Sequence, residues 1–285
     1  MFGGIEVGLQ ALINLNIPIK EYHTYEIYKP AIELSSKRFP FIIYHGSVVN
    51  ADFKQFRDFD LVIGGSPCQN NSRVRQENKS INSGLKGEKS SLFWEFDRAI
   101  KIIKPRWFML ENVVLNHKDD ENTISNELGV RPILINSNLF SAQDRIRNYW
   151  TNIVPSPLPE SCSIMLKDIM EQDVDEKYFY DKPFIMNGYD KKIIATLDVN
   201  THDMLKRVYN PNFKCGTLTC VTGGYQEKKV LDKGRVRKLT PIEYERLQTL
   251  PDNYTYGFSD TVRRTLCGNC WTLEVIKHIF KGLKY

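Results

Sequence analysis

The sequence of 285 residues lacks the features of a membrane protein, a secreted scaffold or a fibrous assembly. Its apolar runs are far shorter than the roughly 20 residues that span a bilayer, and the first residues lack the basic region and long apolar core of a secretory signal. The six cysteines are too sparse for a disulfide framework in so long a chain. Seventeen glycines and 13 prolines exclude a collagen-like or low-complexity chain. We therefore expect a folded cytosolic protein with free thiols.

The cysteine spacing offers a metal site as a weaker alternative. Cys267 and Cys270 form a CxxC pair, and Cys215 and Cys220 have four residues between them. Zinc-binding pairs belong to small loop-rich modules with nearby histidine, whereas the CxxC pair runs directly into a segment with helical spacing. We favour small buried side chains over zinc ligands, and we expect no metal.

The net charge of +5 averages two stretches of opposite sign. Residues 159–203 hold ten acidic and five basic side chains, a net charge of −5. Residues 204–238 hold nine basic and two acidic side chains, a net charge of +7, with four glycines among them. The second stretch is predicted to be loop-rich and strongly basic, which suits an acidic partner.

Hydrophobic periodicity predicts strands that alternate with helices in the first half of the chain. The predicted strands are 22–26, 41–44, 60–64, 106–111, 131–136 and 149–153, and the predicted helices are 8–16, 29–38 and 91–104. This alternation is typical of an α/β fold with a doubly wound parallel sheet. The pattern changes after Pro155, helical spacing resumes at Thr240 as N-cap and Pro241, and a last helix is predicted from about 273 to 283. The prediction is a large domain over 1–154, an insert over 155–235 and a segment over 236–285 that returns to the large domain.

A cysteine follows one of the apolar strands in the sequence GSPCQ at residues 65–69. Reactive groups of open α/β sheets lie where strands end in loops. The glycines permit a sharp turn, Pro67 fixes the backbone before the thiol, and the nearby Arg73 and Arg75 favour its thiolate. Cys68 is therefore a candidate nucleophile, with a buried structural cysteine as the alternative.

An acidic residue follows the strand WFML, and a glycine-rich turn opens the chain. Glu111 at the tip of that strand is partly desolvated, which lets it carry a proton near neutral pH. The turn FGGIEVG at residues 2–8 enters a helix and permits close approach of a nucleotide-like ligand. Glu26 follows the next strand, at the spacing of a carboxylate that binds ribose hydroxyls.

Taken in order, these pieces resemble the C5-cytosine DNA methyltransferases over nearly the whole chain outside the insert. GSPCQ resembles the nucleophile motif, and Glu111-Asn112-Val113 resembles the family's ENV. QDRIR at 143–147 resembles QxRxR, RKLTPIEYERLQTLPD at 237–252 resembles the ninth motif, and residues 268–275 resemble the tenth. The turn at 2–8 is similar to the first motif of the animal de novo branch. The occurrence of PCQ, ENV and QxRxR in this order is very specific to this family. The chain resembles its bacterial or phage members.

The resemblance implies a Rossmann-like fold and a DNA (cytosine-5-)-methyltransferase that uses S-adenosyl-L-methionine. Cys68 would add to C6 of a flipped cytosine. Glu111 would hydrogen-bond or protonate N3 and the exocyclic amine, Arg145 would bind the O2 side of the base, and Arg147 and Gln143 would brace the site. Residues 1–154 would be the catalytic and cofactor-binding domain, 155–235 the target-recognition insert and 236–285 the returning segment.

The resemblance also assigns two sets of binding residues. The cofactor positions are Phe2, Gly4, Glu26, Ile27, Pro67, Leu92 and Asn269, although an apolar side chain at Ile27 or Leu92 is as often plain core. The DNA-contacting positions are Arg73, Arg75, Lys206, Arg207, Lys228, Lys229 and Arg235, with a solvated basic face as the alternative for any one of them. The partner would be double-stranded DNA. The resemblance allows a cognate restriction endonuclease and predicts a monomer at the nucleoid in the cytoplasm.

Three other functions stay open. An RNA cytosine methyltransferase on the same fold is one, although the Cys-Phe-Thr tripeptide of its tRNA branch is absent from this sequence. The second is a non-catalytic DNA-binding relative, because the family's central first strand precedes the first motif and only Met1 stands before Phe2 here. We expect open strand edges in the sheet for that reason. The third, a dinucleotide oxidoreductase, does not account for the PCQ and ENV positions.

Overall fold

The computed structural model describes residues 1–66, 92–115 and 117–284. Two compact units divide the chain. The first unit comprises Met1–Asn136, Ile146–Ser156 and Ile276–Tyr285, and the second comprises Ser137–Arg145 and Pro157–Val275. The first unit includes residues up to Ser156, and the predicted boundary after residue 154 stays a prediction. Most of the segment over 236–285, however, groups with the second unit, because its helices pack on the apolar core of the insert.

Helices and strands alternate through the first half of the chain. In chain order they are α1 (Val7–Asn14), β1 (His23–Thr24), α2 (Lys29–Arg38), β2 (Ile43–Tyr44), β3 (Leu61–Gly65), α3 (Leu92–Ile103), β4 (Trp107–Val113), α4 (Lys118–Leu128), β5 (Ile133–Asn136), β6 (Gln143–Asp144) and β7 (Ile146–Thr151). Each strand and helix predicted here is present, with ends that differ by a few residues. The α4 helix was not predicted, because its sequence is mostly polar.

The second half follows with shorter elements. In chain order they are α5 (Leu166–Ile169), β8 (Phe184–Met186), β9 (Ile193–Leu197), α6 (Asp203–Lys206), β10 (Arg207–Tyr209), β11 (Cys215–Gly216), β12 (Lys229–Asp232), β13 (Arg235–Lys238), α7 (Pro241–Leu247), α8 (Asp260–Asn269) and α9 (Leu273–Phe280). Short 3₁₀ turns occur at Lys54–Phe56, Ser137–Leu139 and Glu176–Tyr178. Within the described ranges, no helix is both long and apolar enough to cross a membrane.

The sheet of the first unit has the order β3–β4–β7–β5. β3 and β4 are parallel, as expected, but β7 runs antiparallel to both β4 and β5. The strands are apolar because both of their faces are covered: five of the seven residues of β4 are buried. Phe93 and Phe96 of α3 pack with Leu110 and Trp150 in one fully buried cluster. The predicted α/β class is confirmed, with a mixed rather than purely parallel sheet.

A separate parallel pair, β1–β2, lies in the same unit. Residues 1–3 hydrogen-bond to both pieces of sheet: the Met1 nitrogen donates to the carbonyl of Ile63 (2.7 Å), and Gly3 N–H donates to the carbonyl of Tyr25 (3.2 Å). A cavity of about 630 Å³ lies next to this segment, lined by residues that include Leu12, Tyr22 and Phe59.

The second unit contains more regular structure than the predicted loop-rich insert. Five strands form one sheet in the order β13–β12–β10–β9–β8, and β11 pairs with β6. Apolar residues of β9, β10 and β13 form a buried cluster on this sheet. The predicted start of α7 is confirmed: Thr240 Oγ1 accepts from Glu243 N–H (3.2 Å), and the Glu243 carboxylate accepts from Thr240 N–H (2.7 Å). Cys267 and Cys270 are buried, as small core residues were expected to be.

Candidate active site

The predicted nucleophile follows β3, but Pro67, Cys68, Arg73 and Arg75 lie outside the described residues. Strand β3 itself ends at Gly65. Ser66, two residues before Cys68 in sequence, is buried, and its Oγ accepts a hydrogen bond from Nδ2 of Asn112 (3.1 Å). The Oδ1 of Asn112 accepts from the N–H of Val113 (2.8 Å). The ends of β3 and β4 are therefore tied by one side-chain bond between two buried residues.

Glu111 lies at the same edge of the sheet. Its backbone pairs with Gly65 of β3 on one side and with Tyr149 of β7 on the other. Arg147 is two residues from Tyr149 on β7 and so shares a face with Glu111. Arg147 Nε lies 3.0 Å from Oε1 of Glu111, and their side chains are 14% and 12% exposed. The structure thus places one carboxylate and one guanidinium together, mostly shielded from water, where the strand that leads to Cys68 ends.

Gln143 and Arg145 belong to the second unit and have different surroundings. The Arg145 guanidinium donates to the carbonyls of Leu218 (3.0 Å), Gly268 (3.2 Å) and Cys270 (3.1 Å), and the residue is 6% exposed. Three backbone carbonyls thus accept from the Arg145 guanidinium, and its contact with the base stays a prediction. Arg147 is the arginine that meets the acid.

The side chain of Gln143 is fully buried in the same unit. Its Nε2 donates to the carbonyl of Leu247 (3.1 Å) and to Oε1 of Gln248 (3.1 Å), and its Oε1 accepts from the N–H of Leu218 (2.8 Å). These contacts brace the backbone of the second unit. A role of Gln143 in bracing the catalytic site stays a prediction.

The glycine-rich turn and Glu26 come together as a candidate cofactor site. Gly4 N–H donates to Oε2 of Glu26 (2.7 Å), and the N–H groups of Ile27 and Tyr28 donate to Oε1 (2.7 Å each). Gly4 has φ of 57° with open space where a Cβ would lie, and Phe2 also has a positive φ (56°). The three bonds orient the carboxylate and leave capacity on its oxygens for a ribose hydroxyl. These residues fit a nucleoside ligand.

The remaining cofactor positions divide between surface and core. Ile27 is 73% exposed, so it is not a core residue, and its side chain is available to an adenine ring. Leu92 is partly buried and packs against the core of the first unit. Asn269 is exposed at the last residue of α8 in the second unit, where its Oδ1 accepts from Sγ of Cys220 (2.7 Å).

Two lysines of the basic stretch do not present their charge to solvent. Lys229 is 1% exposed, and its ammonium donates to the carbonyls of Leu205 (2.8 Å), Tyr225 (2.6 Å) and Glu227 (2.8 Å). Burial lowers the pKa of Lys229 to about 8. The phosphate contact predicted for Lys229 therefore gains no support from its position and stays a prediction. Lys228 is half-buried, with its ammonium 5.7 Å from the ring centre of Tyr209, and burial lowers its pKa as well.

The other basic positions are nearer the surface. Arg207 forms an ion pair with Asp203 (2.7 Å), and Arg235 pairs with Glu176. Lys206 is half-buried at the end of α6. Exposed ion pairs are weak and can exchange for a phosphate, so these three positions remain predictions for DNA contact.

Sequence reasoning missed three residues of this region. Glu6 lies in the glycine-rich turn, is 1% exposed with φ of 57°, and accepts from Tyr22 Oη (2.8 Å); burial raises the pKa of Glu6. Ser66 and Cys220 contact residues that the motifs did identify. The polar residue directly before PCQ is the sequence signal for Ser66. Cys220 gave none, because its partner is 49 residues away.

Comparison with known proteins identifies a family for the whole chain. The family model of C-5 cytosine-specific DNA methylases matches residues 1–285. Type II methyltransferase M1.ScrFI of Lactococcus lactis subsp. cremoris is 28% identical over 262 residues, which cover 82% of this chain and 64% of that protein. M.SsoII of Shigella sonnei is 26% identical over 260 residues, 82% of this chain and 66% of that protein. The chain therefore spans slightly less than two thirds of these two relatives.

Solved structures with the same fold cover the chain almost completely. The Entamoeba histolytica methyltransferase EhMeth superposes with a TM-score of 0.75 at 18% identity, over 100% of this chain and 97% of that one. The S. pombe Dnmt2 methyltransferase superposes with a TM-score of 0.70 at 14% identity, over 100% and 98%. At these identities the likeness shows the fold, which supports the α/β methyltransferase architecture.

Proposed function

The chain belongs to the C-5 cytosine-specific DNA methylase family, and from this membership we propose that it is a DNA (cytosine-5-)-methyltransferase. Its substrate would be a cytosine in duplex DNA, and its methyl donor S-adenosyl-L-methionine. The observation that carries the proposal is the contact between Glu111 and Arg147 (3.0 Å) at the strand end that leads to Cys68. A cytosine ring carries hydrogen-bond acceptors at O2 and N3 and a donor at its amine. Glu111 and Arg147 together offer partners for the acceptors and for the donor.

The pair would bind the Watson–Crick edge of the base. The Glu111 carboxyl would accept from the exocyclic amine and hydrogen-bond N3, and the Arg147 guanidinium would donate to O2. Charge that develops on the ring during attack would then meet fixed, mostly desolvated partners, which is the usual source of large electrostatic stabilisation. We assign the O2 contact to Arg147 because the donors of Arg145 are engaged by backbone carbonyls.

Cys68 would supply the covalent step, by its resemblance to the family nucleophile. Its thiolate donates an electron pair to C6, the C5–C6 π pair shifts to C4–C5, and the C4–N3 π pair moves to N3, which takes a proton from the Glu111 carboxyl. C5 is then enamine-like: as its pair takes the methyl group, the C4–N3 double bond re-forms and N3 returns its proton to Glu111. After methylation, a base removes the C5 proton, the C5–H pair restores the C5–C6 double bond, and the S–C6 pair returns to Cys68. The ring faces are inaccessible inside a duplex, so the base must be flipped out.

The cofactor would bind at the glycine-rich turn. The Glu26 carboxylate, oriented by three backbone N–H groups, would accept from the ribose, and the exposed Ile27 would contact the adenine. When bound, S-adenosylmethionine supplies a methyl group from its sulfonium, whose sulfur keeps the bonding pair. Phe2 and Gly4 remain proposed contacts of the same ligand, and Asn269 remains a prediction from the family resemblance.

The biological setting follows from the relatives' names. M1.ScrFI and M.SsoII are named Type II methyltransferases, which supports a restriction–modification setting with a cognate endonuclease as partner. We place the enzyme at nucleoid DNA in a bacterial or phage-infected cytoplasm, acting as a monomer. Lys206, Arg207 and Arg235 are the proposed phosphate contacts among the described residues.

Transfer of label from tritiated S-adenosylmethionine tests the proposal. The purified chain is incubated with duplex DNA or with tRNA, beside the Cys68→Ser variant. We expect label in DNA with the wild type and none with the variant. Duplex DNA that contains 5-fluorocytosine should trap a covalent complex, because fluorine at C5 cannot leave as a proton. Label in tRNA but not in DNA would overturn the substrate assignment, and full transfer by Cys68→Ser would overturn the covalent mechanism.

A further inference from the structure

The acid of the glycine-rich turn, Glu6, is buried in a strained backbone conformation. It is the N-cap of α1, and its φ of 57° and ψ of 43° lie in the left-handed region, which is unfavourable for a residue with a side chain. Only 1% of Glu6 is exposed, and burial raises the pKa of its carboxyl. A buried carboxyl and a strained backbone both cost stability, and such costs are retained mostly at functional sites.

The two carboxyl oxygens of Glu6 contact the residues on either side of the turn. Oε2 accepts from Oη of Tyr22 (2.8 Å), whose ring packs on a small apolar cluster of the same unit. A Cβ added to Gly3 would lie 2.0 Å from Oε1 of Glu6 and 2.3 Å from Oγ1 of Thr24. The carboxyl thus fills the space beside Gly3, and any side chain at that position would displace it.

The turn is joined at three successive points to the residues of β1 and its two ends. The bonds are Tyr22 Oη to Glu6 Oε2 (2.8 Å), Gly3 N–H to the carbonyl of Tyr25 (3.2 Å) and Gly4 N–H to Oε2 of Glu26 (2.7 Å). Glu6 N–H also donates to the carbonyl of Gly3 (3.0 Å), which closes the turn between the outer two bonds. The Glu6 side chain therefore holds one end of the same turn that presents Gly4 N–H at the other end. All of these residues belong to the first unit.

We propose that Glu6 is a positioning residue for the cofactor site: its carboxyl, held by Tyr22, keeps the turn in the shape in which Gly4 N–H meets Glu26. The inference rests on the proposed function, in which the Glu26 carboxylate accepts from the ribose. Gly4 N–H is one of three backbone donors to that carboxylate, and the other two belong to the two residues that follow Glu26 in sequence. The donor from Gly4 comes from the turn, so the direction of the carboxylate depends on the shape of the turn.

Three replacements separate positioning from a contribution to folding. Glu6→Gly removes the carboxyl but suits the backbone, because glycine adopts a φ of 57° without strain. Glu6→Gln keeps an acceptor for Tyr22 at the same length, and Tyr22→Phe removes the donor hydroxyl alone. Tyr44→Phe is the matched control, since the Tyr44 ring packs against the same apolar cluster while the Glu6 carboxyl accepts from Tyr22.

Titration calorimetry with S-adenosylhomocysteine measures the dissociation constants without turnover. We expect Glu6→Gly to weaken binding about tenfold and Tyr22→Phe about fivefold, as the loss of one hydrogen bond to a carboxylate does. Glu6→Gln and Tyr44→Phe should stay within about twofold of wild type, because both keep that bond. Tyr22→Phe should cause no further loss in a Glu6→Gly background. In methyl-transfer assays the KM for S-adenosylmethionine should rise in Glu6→Gly while kcat stays unchanged.

Amide hydrogen exchange of the free protein gives a measurement in which no ligand takes part. Gly4 N–H should exchange about tenfold faster in Glu6→Gly than in wild type, because its bond to Glu26 opens more often. In Glu6→Gln it should exchange at nearly the wild-type rate. The amides of β4, which pairs on both sides within the sheet of the same unit, should be unchanged and so report that the variants are folded.

The outcomes distinguish this inference from the proposed function. Wild-type protein that binds no S-adenosylhomocysteine overturns the proposed function and the inference with it. Wild-type binding with equal affinity in Glu6→Gly overturns the inference alone, as does exchange of Gly4 N–H at the wild-type rate in that variant. A loss in Glu6→Gln as large as in Glu6→Gly would also overturn it, because the effect would then not pass through the bond from Tyr22. If Glu6→Gly does not fold, equal affinity in Tyr22→Phe and wild type overturns the inference in the same way.

Discussion

Charged side chains have opposite surroundings in the two units. In the second unit, Arg145, Lys229 and Arg237 are 6%, 1% and 0% exposed, and their donors are engaged by backbone carbonyls or by carboxylates. In the first unit, Glu111 and Arg147 meet at a strand end and keep 12% and 14% of their side-chain surface exposed. The first set is bonded within the protein, whereas the second set is the one that we propose meets a ligand.

This difference changes what the sequence charge implies. The net charge of +7 over residues 204–238 predicts a basic surface, yet Lys229 and Arg237 from that stretch lie inside. Long-range attraction to DNA depends on charge near solvent. The positive charge that this stretch presents at the surface is therefore smaller than the net charge counted from its sequence. The two arginines of one short motif also differ in their surroundings. Arg145 bonds to buried backbone carbonyls in the second unit, whereas Arg147 pairs with Glu111 in the first.

Removal of Arg145 should have the largest effect on stability. Arg145→Ala leaves three carbonyls without their shared donor, and we expect the free energy of unfolding to fall by about 4 kcal/mol. Urea denaturation followed by circular dichroism measures it, and Arg131→Ala, at an exposed arginine, is the control and should stay within about 0.5 kcal/mol of wild type. A variant with wild-type stability and abolished methyl transfer would contradict the comparison and return Arg145 to the base.

Removal of Arg147 should act on catalysis instead. Arg147→Ala is expected to lower kcat/KM by about 10²- to 10³-fold, as loss of a donor to developing charge does. Its unfolding free energy should fall by no more than about 2 kcal/mol, because the ion pair is partly exposed. Arg147→Lys keeps the charge but not the planar fork, so intermediate activity is expected. Equal loss of stability and activity in Arg145→Ala and Arg147→Ala would remove the distinction between the two arginines.

The pH dependence of stability should reveal the buried Lys229. Burial lowers its pKa in the folded protein to about 8, whereas an unfolded lysine titrates near 10.4. The unfolded state therefore binds more protons between these values, so stability rises with pH there and the cost of the buried charge is greatest below pH 8. From pH 7.5 to 9.5 we expect wild type to gain about 2 kcal/mol relative to Lys229→Met. Parallel curves for the two proteins would show that Lys229 titrates normally.

The helices and strands that could be predicted from the sequence are those that bury apolar residues, whereas those that bury charged residues were missed. Strand β3 and the first four residues of β4 are apolar, and the position of Glu111 directly after that apolar run follows from them. The α8 helix was missed because it buries Arg263 and Arg264, whose donors bond to Glu245 and to the carbonyl of Leu239. A helical stripe made of arginines has no apolar periodicity to detect.

The five-stranded sheet was missed for the same reason. The β12 and β13 strands bury Lys229 and Arg237, which in sequence look like solvated basic residues. Their partners lie on other elements or in loops: Arg237 pairs with Glu243 on α7, six residues further along the chain, and Lys229 donates to backbone carbonyls. Such pairing is a tertiary property, so composition alone predicted a loop. The carbonyl partners of Arg145 could not be predicted either, since all three are over 70 residues away in sequence.

The smallest expected effect belongs to the bond between Ser66 and Asn112. Ser66→Ala removes one neutral hydrogen bond between buried residues and should cost about 1 kcal/mol of stability. Because Ser66 lies two residues before Cys68, we also expect kcat to fall about threefold to tenfold as the strand end loses its tie, since small misplacements at a reacting centre are costly. Both are measurable, by urea denaturation and by methyl-transfer assay.

Ser125→Ala is the matched control for that variant. Ser125 is buried in the same unit, and its Oγ accepts from the indole nitrogen of Trp150 (2.9 Å), far from any predicted site residue in sequence. It should lose about the same 1 kcal/mol of stability with kcat unchanged. If both variants lose activity equally, the effect of Ser66→Ala comes from a general loss of stability in the first unit. If Ser66→Ala alone loses kcat, then even a neutral side chain in the first unit acts on the reaction through the strand end that Glu111 and Arg147 share.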